Sequence, residues 1–286
     1  MKNKLAFILF AAIFASCDYV ENPIEEGDGP NPEPTGNRTA IIMDFTGHNC
    51  PNCPGGAVEA LNIQEDLGVF VIAVHGDFPG LTNPVGGEPG DALYTDWRTD
   101  EGIALQQIYD IPFIPSGVVS GLNTGGTYWQ TVQSWRGLCE ELVAQTQKAD
   151  ITFDMTFNEV NGELSGDVAV ELFEPFDGDL KLVLAVVEDS IVDWQLNGNE
   201  VNPSNPEYEG GLIDHYVHRH VLRGHLNGDV GSTILSGAGS EGDTFTTAVN
   251  ATISSEYAAE HTEIYAYIYD ATTLEILHVA SFHLVE

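Results

Sequence analysis

Short apolar runs separated by glycine-rich and proline-rich stretches alternate along most of the chain. Residues 39–45 and 69–74 are two such runs, each of a length typical of a buried strand. The residues between them carry apolar side chains at helical spacing, which predicts a helix that joins the two strands. Residues 128–147 show the same spacing over a longer stretch and predict a helix that buries one face.

From about residue 149 the pattern changes to strands. Residues 151–157 alternate between apolar and polar side chains, Asn161-Gly162 predicts a hairpin turn, and residues 164–173 alternate again. Residues 180–187 are nearly all apolar and predict a central strand. Further strands are predicted at residues 216–223, 244–250, 263–269 and 275–284. Turn signals that recur about every eight to twelve residues are typical of an antiparallel sandwich.

The composition excludes some classes of partner. The 286 residues include 9 Lys and Arg against 44 Asp and Glu, for a formal net charge of −35. Nucleic-acid binding needs a basic surface, so this balance argues against a nucleic-acid partner and equally against electrostatic docking on anionic lipid. Adaptation to a salty medium, in which the self-repulsion is screened, is one explanation of the charge.

The N-terminus has the features of an export signal. Residues 1–16 contain two lysines, then the apolar run Leu5–Ala15, which is too short to span a bilayer, then small residues. Cys17 follows directly, and this order resembles the lipobox of bacterial lipoproteins, in which the cysteine becomes the first mature residue and carries the lipid. The alternative is an ordinary signal peptide with an incidental cysteine.

Residues 17–37 follow this signal and are acidic and rich in proline, asparagine and glycine. Such a composition predicts a flexible tether between the lipid anchor and the fold. Acidic residues soon after the lipidated cysteine resemble the surface-export signal of one group of Gram-negative bacteria. That resemblance implies a surface-exposed protein, with the periplasmic face as the alternative.

Cys50 and Cys53 form a Cys-x-x-Cys pair between the first predicted strand and the helix that follows it. Strand, Cys-x-x-Cys turn, helix and strand resemble the opening of a thioredoxin-like fold. In that family, the first cysteine attacks a partner's disulfide and the second resolves the mixed disulfide. A plain structural disulfide is the alternative for an exported protein. We expect Cys50 to lie at the helix N-terminus, where the helix dipole lowers a thiol pKa.

Two further residues extend the resemblance to thioredoxin. Asp44 lies six positions before Cys50, and thioredoxins have a buried carboxylate at this spacing, beneath the second cysteine, where it can accept a proton. Burial would raise its pKa toward the range of a general base. Ile114-Pro115-Ser116 resembles the segment in which a cis-proline faces the cysteine pair, and Pro112 is the competing candidate.

Metal binding competes with the redox interpretation. His48, Cys50 and Cys53 are soft ligands that suit copper(I) or zinc, although a closed zinc site needs four ligands and the sequence has no second Cys-x-x-Cys. His48 could instead depress the Cys50 pKa if it were charged, or be a surface turn residue. Cys139 is predicted to be a small buried core residue. No organic cofactor is predicted.

Two other segments are candidates for function. Histidines are concentrated over residues 215–225, where a single strand would place His218 and His220 on one face as metal ligands or as structural hydrogen-bond donors. Residues 77–100 form a long stretch rich in glycine and proline that could cover the cysteine pair, with a helical insertion as the alternative. Residues 196–211 are predicted to be an exposed loop.

The order of these motifs is similar to that of one lipoprotein family, the twenty-eight-kilodalton outer-membrane-protein type. Thr-Gly-His-Asn-Cys-Pro-Asn-Cys-Pro is the most specific part of the resemblance, which covers nearly all of the mature chain. It implies an outer-membrane lipid anchor, protein partners in the envelope, and an α/β thioredoxin-like domain over residues 38–148. An all-β immunoglobulin-like sandwich would follow over residues 149–286. The activity that it implies is poorly defined, and adhesion or an accessory role in a surface complex is often supposed.

Three functions therefore remain open at this point. The first is a tethered thiol–disulfide oxidoreductase that uses Asp44, Cys50, Cys53 and Pro115. The second is a non-catalytic surface module with a structural disulfide. The third is copper or zinc handling.

Overall fold

A computed structural model of the chain describes residues 36–198 and 211–285. Within these residues the chain forms three α-helices: α1 Cys53–Leu67, α2 Asp100–Ile108 and α3 Val132–Val143. It also forms fourteen strands: β1 Ile41–Phe45, β2 Phe70–Val74, β3 Ser116–Val119, β4 Trp129–Gln130, β5 Ala149–Asn158, β6 Glu163–Leu172, β7 Phe176–Glu188, β8 Ile191–Asn197, β9 Gly211–His218, β10 Val221–His225, β11 Ser232–Gly239, β12 Thr244–Thr252, β13 Thr262–Asp270 and β14 Ile276–His283.

The fold is β-rich and contains several sheets. The largest has the strand order β14-β13-β7-β10-β2-β1-β3-β4, and β11 also pairs with β7. A three-stranded sheet has the order β12-β6-β5, and β8 pairs with β9 in a two-stranded sheet. β1 runs parallel to β2 and antiparallel to β3, and β2 runs parallel to β10 through the pair Ala73 and Val221. Strands from both halves of the sequence therefore share one sheet.

The apolar side chains form three cores on the faces of these sheets. On one face of β1, Ile42 packs with residues of α1 and α3, including Trp135 and the fully buried Cys139. The other face of β1 packs in a second core with β2, β7 and β13. A third core lies between the three-stranded sheet and the other face of β7 and β13. β7 is thus buried on both faces, which explains its nearly continuous apolar sequence and confirms that it is a central strand.

Several predicted elements are confirmed with shifted ends. The hairpin at Asn161-Gly162 joins β5 to β6 as predicted, and Cys139 is a buried core residue, with its thiol pKa raised to about 12 by burial. The helix predicted over residues 128–147 is shorter, because Trp129–Gln130 pairs with β3 as β4 before α3 begins. Residues 77–99 form turns and no regular element, so the helical-insertion alternative is wrong.

The single strand predicted over residues 216–223 is wrong. β9 ends at His218 and pairs with β8, whereas β10 begins at Val221 and joins the large sheet. Between them, His220 adopts a positive φ of 51°, and its backbone N–H donates to the carboxylate of Asp189 at 3.3 Å. His218 and His220 therefore do not share one strand face.

A close contact between β3 and α3 fixes the position of the helical layer on the large sheet. Gly117 of β3 lies directly beneath Trp135, and a Cβ at Gly117 would stand 2.5 Å from the indole ring. Trp135 is fully buried, and its indole N–H donates to the carbonyl of Gln130 at 3.2 Å. The ring cannot retreat without losing this hydrogen bond, so the contact requires glycine.

We expect Gly117→Ala to lower the free energy of unfolding by about 1–3 kcal/mol, because the added methyl overpacks a filled site. The matched control is Gly137→Ala in α3, where an added Cβ would meet nothing within 4 Å. That change should stabilise the helix by up to about 1 kcal/mol. Urea denaturation of both variants measures the difference, and equal effects would contradict the packing described here.

Candidate functional site around Cys50 and Cys53

The Cys-x-x-Cys segment joins the end of β1 to the start of α1. A disulfide links Cys50 to Cys53, and both residues are buried, with 2% and 1% exposure. The Cys50 N–H donates to the Gly47 carbonyl at 3.1 Å, and the Cys53 N–H donates to the Cys50 carbonyl at 3.3 Å. This turn precedes the helix, so Cys53 is the first helical residue and Asn52 is its N-cap. Cys50 lies in the turn before the N-cap, so the expectation that it lies at the helix N-terminus is wrong.

Pro115 lies beside the first turn of α1. The Ile114–Pro115 peptide bond is cis, and it is the one cis bond among the described residues, so the competing Pro112 follows a trans bond. The Pro115 Cβ stands 3.2 Å from the position that a Cβ on Gly56 would occupy. Gly56 is in the helical turn that starts at Cys53, and this contact brings the proline close to the cysteine pair.

Asp44 is enclosed in the centre of the large sheet. It lies in β1 opposite Ala73 on one side and Gly117 on the other, and it is 1% exposed. Residues directly opposite each other in an antiparallel pair project to the same face, so its side chain lies on the face that Trp135 and the helices cover. Within the described part of the chain, its Oδ1 atom has no hydrogen-bond partner. Burial raises the pKa of Asp44 to about 7, which leaves the carboxyl near half-protonation at neutral pH.

The end of β8 covers the cysteine turn from one side. The Gln195 side-chain amide donates to the carbonyls of Gly47 and Cys50 at 3.2 and 3.3 Å. The backbone continues these contacts at the next positions, where the Leu196 N–H donates to the His48 carbonyl at 2.8 Å and the Gly198 N–H donates to the Pro51 carbonyl at 2.7 Å. Sequence reasoning missed Gln195, because its partners lie about 145 residues earlier and no local pattern marks it.

The segment after β2 also contacts this turn. The Asn49 N–H donates to the Leu81 carbonyl at 3.0 Å, and the Asn49 side-chain amide donates to the Gly80 carbonyl at 2.8 Å. An imidazole nitrogen of His48 lies 3.2 Å from the Asn83 carbonyl. The disulfide is therefore enclosed on two sides by backbone that is hydrogen-bonded to its own turn.

His48 differs from both sequence-based expectations. It is fully buried, because the Asn83 and Leu196 backbone contacts close over it, so the surface-turn interpretation is wrong. Burial also lowers the pKa of His48, which leaves the ring neutral at pH 7. A neutral imidazole supplies no positive charge to depress the pKa of Cys50.

Two further buried histidines pack around Trp97 near this site. The rings of His75 and His218 lie 6.2 and 5.3 Å from the Trp97 ring, and the Arg223 guanidinium lies over the same indole at 5.3 Å. Burial lowers the pKa of His218 to about 4 and lowers that of His75 well below its ordinary value. Both rings are neutral at pH 7. Trp97 therefore packs against these two histidines and Arg223.

The structure does not bring the candidate metal ligands together into one metal site. An imidazole nitrogen of His218 lies 3.3 Å from the Trp194 carbonyl, and one of His220 lies 2.8 Å from the Gln64 side-chain oxygen. Across residues 36–198 and 211–285, no three His, Cys, Asp or Glu side chains are placed to hold a metal ion. His48, His218 and His220 each have a separate polar neighbour instead.

The buried carboxyl predicts an unusual pH dependence of stability. The pKa of Asp44 is about 7 in the fold and 3.8 in the unfolded chain, so its contribution is complete below pH 3.8 and is lost as the pH rises through 7. This difference corresponds to at most roughly 4 kcal/mol. We expect Asp44→Asn to unfold at higher urea concentration than the native chain at pH 8 and at nearly the same concentration at pH 4. The exposed substitution Glu159→Gln is the control, and an equal gain there would contradict the assignment.

The buried imidazoles predict the opposite pH dependence. Because the pKa of His218 falls from 6.5 to about 4 on folding, its contribution is complete above pH 6.5 and is lost as the pH falls toward 4. Asp193, His48 and His75 are titratable groups that interact with it electrostatically. We expect His218→Gln to flatten the loss of stability between pH 6.5 and 4, measured by urea unfolding. Exposed His283→Gln should leave the slope unchanged, and an unchanged slope in both variants would refute this origin.

None of the helices that the structure describes is long and apolar enough to cross a membrane.

Comparisons with solved structures concern the fold of the chain. The structure is similar to that of HBP35 of Porphyromonas gingivalis, with a TM-score of 0.59 and 18% identity, covering 88% of this chain and 77% of that chain. At this identity the similarity concerns the fold alone. A protein from Agrobacterium tumefaciens gives a TM-score of 0.49 at 12% identity, covering 86% of this chain and 95% of its own. A domain of the outer membrane lipoprotein Omp28 from Porphyromonas gingivalis gives a TM-score of 0.29 at 18% identity, covering 48% of this chain and 88% of that chain.

Sequence comparison is more decisive. No curated protein matches the chain significantly. The family described as outer membrane protein Omp28, however, matches residues 103–285, which is well over half of the 286 residues. This confirms the resemblance inferred from the motifs: the chain belongs to the Omp28 family of outer membrane proteins.

Proposed function

We propose that this protein is a lipid-anchored, surface-exposed outer membrane protein whose Cys50–Cys53 pair exchanges thiols and disulfides with partner proteins of the envelope. Membership of the Omp28 family supports the outer-membrane location. The anchor rests on the lipobox at Cys17, which lies outside the described residues, as do most of the tether and most of the loop expected over residues 196–211. The redox role rests on the site.

The observation that carries the redox role is the buried carboxyl of Asp44. An enclosed carboxyl group without a hydrogen-bond partner at Oδ1 lowers the stability of the fold when it ionises. A structural disulfide does not require such a group. A cysteine pair that takes up and releases protons requires a proton donor and acceptor, and a carboxyl with a pKa near 7 can fill both roles at neutral pH.

The arrangement of elements around the pair supports the same proposal. β1, the cysteine turn, α1 and the parallel strand β2 follow in order, and β3 begins directly after Pro115. We propose that residues 38–148 form a thioredoxin-like unit and residues 149–286 an immunoglobulin-like sandwich. In this arrangement the sheet of the second unit continues that of the first through β10.

The proposed exchange is balanced in both directions. A thiolate of a partner attacks Cys50, the Cys50–Cys53 bond breaks, and Cys53 leaves as a thiolate that takes the proton of Asp44. The second thiolate of the partner then attacks the mixed disulfide, which leaves an oxidised partner and a reduced Cys50. In the reverse direction Asp44 accepts the proton of Cys53, which then attacks the mixed disulfide at Cys50.

A second candidate function is a non-catalytic surface module for adhesion or for an accessory role in an outer-membrane complex. The observation that favours it is the enclosure of the disulfide, with 2% exposure at Cys50 and hydrogen bonds from β8 on one side. Under this alternative the disulfide only holds the turn in place. For the redox role, β8 must move away from the turn before a partner can reach Cys50.

Trapping separates the two functions. We expect reduced Cys53→Ser to accumulate disulfide-linked adducts with envelope proteins, because Cys50 can attack and nothing resolves the product. Adding Gln195→Ala should increase the yield severalfold, because it removes two hydrogen bonds that hold β8 over the turn. Non-reducing electrophoresis with mass spectrometry measures the adducts.

The matched control is the double variant Cys50→Ser, Cys53→Ser, which keeps only the buried thiol of Cys139 within the fold. If Cys53→Ser with Gln195→Ala forms no more adducts than this control, the redox role is wrong. Retention of partner binding by the double variant, with loss of stability alone, would establish the structural role instead.

A further inference from the structure

Helix α1 carries two apolar stripes, and the core uses one of them. Its buried residues are Cys53, Pro54, Gly56, Ala60 and Ile63. The second stripe consists of Ala57, Val58 and Leu61, which are half-buried and continue from Pro54 at spacings of three, four and seven residues. A helix on a protein surface normally presents polar side chains at such positions, so the second stripe indicates a further packing partner.

This second stripe forms the floor of a groove of about 520 Å³. Strand β9 forms the wall, and both Ile213 and Val217 line it. Ile213 is 5% exposed, whereas Val217 is 39% exposed and lies opposite Val192, which is 62% exposed. The apolar surface therefore extends from the helix, across the groove, and onto the exposed part of the hairpin.

The charges around the groove favour a cationic occupant. Glu65 lines its end, and the one arginine of its lining, Arg219, is already paired with Asp189 at 3.0 Å. The chain as a whole carries a formal charge of −35. An anionic ligand would meet repulsion on approach, whereas Lys or Arg side chains beside an apolar segment would be attracted.

We propose that this groove binds a segment of a partner polypeptide that combines aliphatic side chains with Lys or Arg. From Pro54 to Glu65 the floor is roughly 16 Å long, which accommodates about five residues in an extended conformation. Aliphatic side chains fill the space between α1 and β9, and the basic side chains lie toward Glu65 and the acidic surface.

The groove begins one residue after Cys53, so a bound segment would lie beside the cysteine pair. The binding itself does not depend on the proposed redox role, because none of the residues that form the groove takes part in the exchange. The two proposals can therefore fail separately. Binding should persist in Cys50→Ser, which eliminates the exchange.

The probe is a fluorescein-labelled twelve-residue peptide of alternating Leu and Lys, measured by fluorescence anisotropy against the full mature chain. Matched peptides of Leu with Glu and of Ser with Lys separate the apolar contribution from the charge. We expect the Leu/Lys peptide to bind at least about tenfold more tightly than either control. Equal binding of the Leu/Glu or Ser/Lys peptide would overturn the proposal.

Position is tested with a charge-matched pair of variants. Leu61→Glu places a carboxylate in the groove, and Val160→Glu places the same charge at a residue that is 96% exposed on the turn between β5 and β6. We expect Leu61→Glu to lower the affinity for the Leu/Lys peptide about tenfold, although the added negative charge alone would raise that affinity. Val160→Glu should cause no loss of affinity. Equal affinity of the two variants would overturn the proposal.

A titration of the native chain removes any dependence on how the variants fold. The methyl NMR signals of Val58, Leu61, Ile213 and Val217 should shift when the Leu/Lys peptide is added. Shifts confined to other methyl groups would place the peptide elsewhere and would refute the groove as its site.

Discussion

A carboxyl group enclosed in the centre of a sheet constrains everything around it. Asp44 occupies a core position in β1, where cross-strand neighbours and the overlying helices exclude water. In that environment the charged form is disfavoured, and the pKa rises to about 7. The residue thus lowers stability at the pH at which proteins usually work, and the proposed function accounts for its presence by proton exchange with the cysteine pair. The buried histidines act in the opposite direction, because they lower stability when they gain charge in acid.

The second constraint is that the cysteine turn is closed by segments distant in sequence. Backbone from residues 80–83 and from the end of β8 satisfies the polar groups of the turn from two sides. Hydrogen bonds of this kind each contribute about 1 kcal/mol, so the closed arrangement is stable but can open at moderate cost. The C-terminal half of the chain therefore covers part of a turn that lies in the N-terminal half. The same hairpin forms the wall of the apolar groove beside α1.

Local patterns in the sequence predicted the elements that position the site. The apolar run that ends at Phe45, the spacing of the two cysteines and the helical pattern after them led to β1, the turn and α1. The resemblance of Ile114-Pro115-Ser116 to the cis-proline segment of thioredoxin indicated the cis peptide correctly. The enclosure could not be predicted, because Gln195 and Cys50 are 145 residues apart and their contact depends on the whole fold. The break at His220 could not be predicted for a similar reason, since Asp189 stabilises it from the connection between β7 and β8.

The most direct test concerns the proton that Asp44 would exchange with Cys53. The measurement is the rate at which dithiothreitol reduces the Cys50–Cys53 disulfide across pH 5 to 9, corrected for the thiolate fraction of the reagent. With Asp44 as proton donor to the leaving Cys53, the corrected rate of the native chain falls above pH about 7, and that of Asp44→Asn is flat. Identical profiles for the two proteins would contradict a role for this carboxyl group in the chemistry of the cysteine pair.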